Sequence, residues 1–359
     1  GERALGGQSG VETGGSLGTN GGSAHSGGDT SLGGTGKGAG GSLGTGGTNV
    51  VAGASSGGRA SGGQPGSSGA TGNGGSAGGA VAGAGGGSGR PIPLGNPAVP
   101  SSGCGKAATL TSGKKTITSG GQQRTYIIDI PANYDMNKPY RLFYTSHWIG
   151  STSEAVRDQN YYFLKPLANA ANAPAVFVAP QADGSTWQQK DHALFDDILA
   201  FVKSNLCIDT TRVFATGFSF GGMITYSLSV NHQKDIRAAV GIAPANYNIY
   251  VPQKNHEPIA WMQTTGMSDT TCPWINGSST TQGAKFIAIE HATDNRCTVP
   301  ATLPIWQQGK HVCYDFQGCG AEYPTKVCTF GGGHTNIAND PGASANWIPE
   351  ESWKFFTQF

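Results

Sequence analysis

Short segments in the middle of this chain carry β-branched and aromatic residues in a pattern typical of strands. They are residues 124–131 (RTYIIDIP) and 140–147 (YRLFYTSH), which both end in turn-forming residues, and residues 175–181 (AVFVAPQ), which have the pattern of a short buried strand. The period then changes, because residues 191–206 (DHALFDDILAFVKSNL) place aliphatic side chains at helical spacing. The pattern therefore predicts three strands followed by a helix.

The alternation of strands and helices continues to the end of the chain. It predicts the strand RVFATGF, the helix GGMITYSLSVNH, the strands IRAAVGIAP and PIAWMQTTG, the helix TTQGAKFIAIEHA, the strand KVCTFGGGH and the helix WIPEESWKFFTQF. Strands that alternate with helices form a mostly parallel sheet covered on both faces. We therefore expect an α/β fold, with its functional groups in loops at the carboxyl ends of the strands.

Composition divides the chain into two parts. Residues 1–100 hold 38 of the 59 glycines and contain no Phe, Trp, Tyr or Cys. Such a segment cannot bury enough apolar surface to offset the entropy that ordering costs. We expect residues 1–103 to be a disordered Gly/Ser-rich leader or linker, and residues 104–359 to form one folded domain of about 250 residues.

Charge and hydropathy narrow the range of partners. The formal net charge is +1 and no run of Lys or Arg occurs, so a nucleic-acid partner is not expected. The chain opens without a basic-then-apolar signal, and no apolar run reaches the roughly 18 residues of a membrane helix. We expect no membrane span, and a monomer.

The segment Gly217-Phe218-Ser219-Phe220-Gly221 lies between a predicted strand and a predicted helix. In this setting a G-x-S-x-G pattern forms a tight strained turn that exposes the serine hydroxyl, and the glycines leave room for it. Ser219 is therefore the predicted nucleophile. The alternative is an ordinary serine in a glycine-rich turn.

A serine hydroxyl needs a base, and the base needs an orienting acid. His334 follows the last predicted strand in GGGHTN, and it is the predicted base. Asp269 follows the strand PIAWMQTTG and is the predicted acid, with Asp294 as the second choice. Serine, acid and histidine then occur in the chain order that α/β-hydrolases use.

An ester carbonyl that is attacked by a serine develops negative charge, which backbone N–H groups stabilise. One predicted donor is the N–H of Phe220, the residue after the nucleophile. The second is expected from the loop HWIGST after the strand YRLFYTSH. Trp148 is preferred there, with Ile149 as the alternative.

The motifs GFSFGG, TTGMSDTTCP and GGGHT, in this order, resemble those of the secreted α/β-hydrolase esterases of the polyhydroxybutyrate-depolymerase-like group. This group includes feruloyl esterases of carbohydrate esterase family one. The resemblance covers about residues 104–359 and implies an α/β-hydrolase fold with Ser219, Asp269 and His334 as its triad. It departs at His147-Trp148, where such enzymes often have His-Gly and some feruloyl esterases have His-Trp, and this leaves the second oxyanion donor open.

The resemblance also implies a function. It points to an extracellular serine esterase that hydrolyses feruloyl (hydroxycinnamoyl) esters on plant cell-wall xylan through an acyl-enzyme, with no metal or organic cofactor. An acetylxylan esterase or a polyhydroxybutyrate-type polyester depolymerase would keep the triad and differ in the pocket. A tethered carbohydrate-binding module is the non-catalytic alternative, but it has no reason to keep all three residues in this order.

A feruloyl ester requires an aromatic slot and a sugar-facing rim. Trp148 and Trp274, each near a predicted catalytic loop, are therefore candidate substrate-binding residues. For either residue, a place in the hydrophobic core is the alternative.

All seven cysteines lie in the predicted domain, and none has metal-type spacing. This suits up to three disulfides in an oxidising, extracellular compartment, with one thiol left over. Cys104 and Cys207 are the preferred pair, because their bond would fasten the start of the domain to the outer layer of the sheet. The pairing of the other five stays open.

Overall fold

The computed structural model describes residues 95 to 359. The predicted leader, apart from residues 95–103, lies outside this range, so its disorder and the domain division at residue 104 stay predictions. Before Cys104 the chain already contacts the domain. The Val99 N–H donates to Asp209 Oδ1 (3.1 Å), and the Ser101 hydroxyl donates to the Leu206 carbonyl (2.7 Å).

A nine-stranded sheet and six helices make up the regular structure of residues 95 to 359. The strands are β1 (Gly113–Ser119), β2 (Gln122–Asp129), β3 (Tyr140–Ser146), β4 (Ala175–Pro180), β5 (Ile208–Phe218), β6 (Ala238–Ile242), β7 (Ala260–Gly266), β8 (Val312–Asp315) and β9 (Thr325–Phe330). The helices are α1 (Ser153–Asp158), α2 (Leu164–Ala170), α3 (Lys190–Asn205), α4 (Phe220–Ser229), α5 (Ala284–Asp294) and α6 (Trp347–Phe356).

The strand order across the sheet is β1-β2-β4-β3-β5-β6-β7-β9-β8. The strands from β4 to β9 in this order are parallel to one another, whereas β2 pairs antiparallel with β4, β1 with β2, and β8 with β9. The carboxyl ends of β3, β5, β6, β7 and β9 therefore meet at one edge of the sheet. The structure confirms the predicted α/β fold, and its mostly parallel sheet is that of an α/β-hydrolase.

Helices cover both faces of this sheet. One hydrophobic cluster contains buried residues of α3 and α4, such as Leu194 and Met223, and the other contains buried residues of α1, α2 and α6, such as Val156 and Phe355. Strands buried on both sides read as near-continuous hydrophobic runs. For that reason AVFVAP (β4) and AAVGI (β6) are buried at every position.

The sequence pattern did not predict four of these elements. Strand β1 (GKKTITS) lies at an edge and buries little, and β8 is four residues long. Helices α1 and α2 span six and seven residues. Edge strands carry polar residues, and a helix of under two turns is too short to show its period, so neither leaves a strong hydrophobic signal.

Candidate active site

Ser219 lies between the end of β5 and the start of α4. Its backbone has φ 58° and ψ −121°, a conformation that costs a non-glycine residue energy and that clusters at functional sites. The Ser219 N–H donates to the Ile242 carbonyl of β6 (2.9 Å), and the Ser219 carbonyl accepts from the Met223 N–H of α4 (2.9 Å). The strained turn is therefore held by hydrogen bonds on both sides.

Glycine is required on both sides of this serine. A Cβ at Gly217 would lie 2.4 Å from the Gly221 carbonyl oxygen, and a Cβ at Gly221 would lie 2.1 Å from the Ser146 carbonyl oxygen. Both distances are far below van der Waals contact. Only hydrogen side chains let the start of α4 pack against the ends of β3 and β5, which is the strand-turn-helix geometry of the G-x-S-x-G motif.

His334 approaches Ser219 from the loop after β9. Its Nε2 lies 2.7 Å from Ser219 Oγ, and its Nδ1 lies 2.7 Å from Asp269 Oδ2. The side chain of His334 is 20% exposed, and its ring lies 4.8 Å from the ring of Phe218. The structure thus brings the three predicted residues into one hydrogen-bonded line, with the imidazole open to a substrate on one side.

The Asp269 carboxylate is fully buried. Its Oδ1 accepts hydrogen bonds from the N–H groups of Thr271 and Cys272, both at 2.8 Å. Burial raises the pKa of this carboxyl, but the hydrogen bonds from His334 and the two N–H groups outweigh burial, so the pKa lies below its ordinary value. The second choice for the acid, Asp294, lies elsewhere and pairs with His256 at 3.0 Å.

The loops that carry the acid and the histidine are joined through their backbones. The Met267 N–H donates to the Phe330 carbonyl (2.8 Å), and the Ser268 N–H donates to the Gly332 carbonyl (3.0 Å). At the end of β7, a Cβ on Gly266 would lie 2.3 Å from the Gly332 oxygen. The two loops can therefore lie this close together only because Gly266 has no side chain.

A cavity of about 520 Å³ opens beside Ser219. Its apolar walls are formed by Ile149, Trp187, Phe220 and Met223, and further lining comes from Thr186, Gln188, Tyr247, Asn248, Thr271 and Cys272. A concave, largely apolar site of this size with a few polar groups is typical of small-molecule binding.

The two predicted substrate-binding tryptophans do not line this cavity. Trp274 is buried in a separate cluster with residues of α5, and Trp148 packs beside Phe218, with 6.1 Å between their rings. Trp187 and Tyr247 line the cavity instead. Both residues lie in loops that follow buried strands, β4 and β6. Ligand sites lie at the carboxyl ends of parallel strands, so the position of these two rings in the sequence was a signal for a place in the cavity.

The predicted oxyanion donors differ in their position. Phe220, the first residue of α4, lines the cavity. Ile149 also lines the cavity, whereas Trp148 does not. The Trp148 carbonyl accepts from the Ser151 N–H (3.1 Å) and faces His147 Nδ1 (2.8 Å). The C=O and N–H of a trans peptide point in opposite directions, so the Ile149 N–H is turned away from buried His147.

The cysteines form three disulfides and leave one free thiol. Cys104 bonds to Cys207, the pair that the sequence favoured. The other pairs are Cys297 with Cys319 and Cys313 with Cys328. Cys272 is free and buried, and burial together with the Asp269 charge raises the pKa of its thiol to about 12. This thiol is therefore protonated at neutral pH.

The fold and this site define the class of the protein, an α/β-hydrolase. The chain is 31% identical over 277 residues to feruloyl esterase D of Neurospora crassa, which covers 73% of this chain and 91% of that protein. It is 32% identical over 265 residues to feruloyl esterase C of Emericella nidulans, covering 71% and 90%. The chain belongs to the feruloyl esterase family, and it is a carboxylic ester hydrolase.

No family model matches this chain. The feruloyl esterase module from Clostridium thermocellum aligns with a TM-score of 0.47 and 15% identity, covering 76% of this chain and 96% of that one. Within residues 95 to 359, no helix has the length and hydropathy to cross a membrane.

Proposed function

We propose that this protein hydrolyses feruloyl and related hydroxycinnamoyl esters on plant cell-wall xylan, with Ser219 as nucleophile. The observation that carries the proposal is the line Ser219, His334, Asp269, joined by two contacts of 2.7 Å at the edge of an apolar cavity. Membership of the feruloyl esterase family supports the choice of acyl group.

In the first half of the reaction, Ser219 Oγ attacks the ester carbonyl carbon while His334 Nε2 takes the hydroxyl proton. Asp269 holds the imidazole through Nδ1 and stabilises the imidazolium that forms. Collapse of the tetrahedral intermediate breaks the bond to the sugar oxygen, which takes the proton from His334. The product is a feruloyl ester of Ser219.

The negative oxygen of the intermediate requires two N–H donors. We assign them to Phe220 and Ile149 rather than to Phe220 and Trp148. Ile149 lines the cavity beside Ser219, and the Trp148 carbonyl points inward, which turns the Ile149 N–H outward.

The cavity suits a flat aromatic acyl group. Trp187, Phe220 and Tyr247 provide ring surfaces, while the Tyr247 hydroxyl is already donated to the Thr271 carbonyl at 2.9 Å. Aromatic surfaces of this kind bind planar rings by stacked or edge-to-face contact. We therefore place the feruloyl ring between these walls and the sugar toward the open side.

In the second half, a water molecule attacks the acyl-enzyme. His334 takes its proton, the tetrahedral intermediate collapses, and Ser219 leaves with the proton returned from His334. The serine, imidazole and carboxylate supply the nucleophile and every proton transfer, so no metal or organic cofactor is needed. Three disulfides support an extracellular location, and we propose a secreted monomer.

Two measurements test this proposal. Ser219→Ala should abolish hydrolysis of methyl ferulate and leave the thermal unfolding midpoint near that of the wild type, whereas Ser204→Ala, at an exposed position on α3, should keep full activity. Near-wild-type hydrolysis by Ser219→Ala would refute the nucleophile. The proposed substrate fails if the wild type cleaves methyl ferulate no faster than a simple acetyl ester.

A further inference from the structure

The side chain of His147 is fully buried directly after β3, next to the loop that lines the cavity. Its Nδ1 lies 2.8 Å from the Trp148 carbonyl oxygen. Its Nε2 lies 3.1 Å from the Ala182 nitrogen and 3.3 Å from the side-chain nitrogen of Gln181. Both ring nitrogens of this imidazole therefore contact backbone or amide groups of two different loops.

These contacts determine the tautomer of His147. The Ala182 N–H can only donate, so Nε2 must accept, and the ring proton is on Nδ1. Nδ1–H then donates to the Trp148 carbonyl. Burial lowers the pKa of His147, which keeps the ring in this neutral form.

A second hydrogen bond holds the preceding peptide. The Trp187 indole N–H donates to the His147 carbonyl at 2.8 Å, and the two rings lie 4.6 Å apart. Trp187 is also a wall of the cavity. The two peptides that link His147, Trp148 and Ile149 thus have both of their carbonyl oxygens fixed.

The other three partners of His147, namely Gln181, Ala182 and Trp187, lie in residues 181–188, which we call the strap. A buried ion pair between Arg124 of β2 and Asp191 of α3 holds both ends of the strap. Arg124 donates to the Gln181 carbonyl (3.0 Å), and Asp191 accepts from the Gln188 N–H (2.6 Å). Because this pair is almost fully buried, its geometry is not loosened by solvent.

We propose that His147 is a positioning residue for ester hydrolysis. Through its Nδ1–H it holds the Trp148 carbonyl, and so it aims the Ile149 N–H at the oxyanion, while its Nε2 and carbonyl tie this peptide to the strap. Trp187, which lines the cavity for the acyl group, and the Ile149 N–H, which binds the oxyanion, are then both held in place through His147. This inference rests on the proposed function of the site, with Ile149 as the second donor.

Two substitutions separate the two contacts of the imidazole. In His147→Asn the side-chain NH₂ occupies the place of Nδ1 and can still donate to Trp148, but nothing reaches Ala182. In His147→Gln the side-chain oxygen occupies the place of Nε2 and can accept from Ala182, but the donor to Trp148 is lost. His256→Asn, at a side chain that is 65% exposed, is the matched control.

The measurements are kcat and KM for methyl ferulate and for p-nitrophenyl acetate, and the inhibition constant of phenylboronic acid, whose tetrahedral adduct with serine mimics the intermediate. Rates are counted per titrated active site, and thermal unfolding is followed for each variant. Loss of an oxyanion donor costs about 10²–10³ in turnover, so a misaimed donor in His147→Gln should cost about 10–10². The boronate constant should rise in parallel, KM should change less than about threefold, and His147→Asn should lose less than about tenfold.

Trp187→Phe is a second variant that keeps an aromatic wall and removes only the indole donor. It should show the same parallel loss of kcat and of boronate affinity, on a smaller scale. A rise in KM alone for Trp187→Phe would show that the indole only contacts substrate. The inference is overturned if His147→Gln keeps wild-type kcat and boronate affinity per active site and only its unfolding midpoint falls. If the wild type cleaves p-nitrophenyl acetate but not methyl ferulate, the proposed substrate is wrong and the positioning test still stands.

Discussion

Gly266→Ala should disable the site through the distance between two loops. A Cβ at this position would lie 2.3 Å from the Gly332 oxygen and 2.4 Å from the Gly333 oxygen. Real Cβ contacts are essentially never below 3.0 Å, so the backbone must move by the difference between 2.3 Å and 3.0 Å, about 0.7 Å. The histidine loop and the acid loop would then separate, and both 2.7 Å contacts of His334 depend on that spacing.

A misplacement of about 1 Å can cost about 10² in rate. We therefore expect kcat/KM for methyl ferulate to fall about 10²-fold in Gly266→Ala, while overpacking lowers the free energy of unfolding by about 1–3 kcal/mol. The assay is steady-state hydrolysis together with thermal and denaturant unfolding. Gly333→Ala is the matched control, since its Cβ would meet nothing closer than the Ser268 oxygen at 3.8 Å. Activity of Gly266→Ala within about threefold of Gly333→Ala would refute the reasoning.

Two further predictions concern titration. Burial and the Asp269 charge raise the pKa of Cys272 to about 12. The native enzyme should therefore resist labelling by iodoacetamide at pH 8, and Cys272 should react once the protein is unfolded. Rapid labelling of Cys272 in the native protein would contradict this prediction. Burial and the neighbouring His232 lower the pKa of His192 from 6.5 to about 4 in the folded protein. Between these two values the unfolded chain binds more protons than the folded protein, so the free energy of unfolding should fall as the pH is lowered from about 6.5 to 4. This fall should be less steep in His192→Gln than in the control His256→Gln. Equal slopes in the two variants would refute the prediction.

Much of the fold could be predicted from the sequence because its central strands are buried on both faces. Their hydrophobic runs, as in AVFVAP, and their alternation with helices indicated a mostly parallel sheet. The half-exposed strand GKKTITS and the short strand VCYD were missed. Their pairing with longer strands, rather than their own hydrophobicity, makes them part of the sheet.

The candidate site was predictable to a similar degree. Ser219, Asp269 and His334 could be chosen because glycines mark the turn and because the groups at the carboxyl ends of parallel strands converge. The walls of the cavity could not be chosen in the same way. Trp187 and Tyr247 come from loops far apart in the chain, and Trp274 follows the same strand as Asp269 yet packs against α5.

The sequence by itself determined the order of elements, the tight turn around Ser219 and the order of the predicted nucleophile, acid and base, since each depends on local pattern or chain direction. Only the tertiary structure decided the cysteine pairs, as when Cys313 and Cys328 face each other across β8 and β9. It also decided which aromatic rings line the cavity and how buried His147 joins the strap to the loop of Trp148 and Ile149. These are contacts between distant segments, and no periodicity within one segment records where another segment will lie.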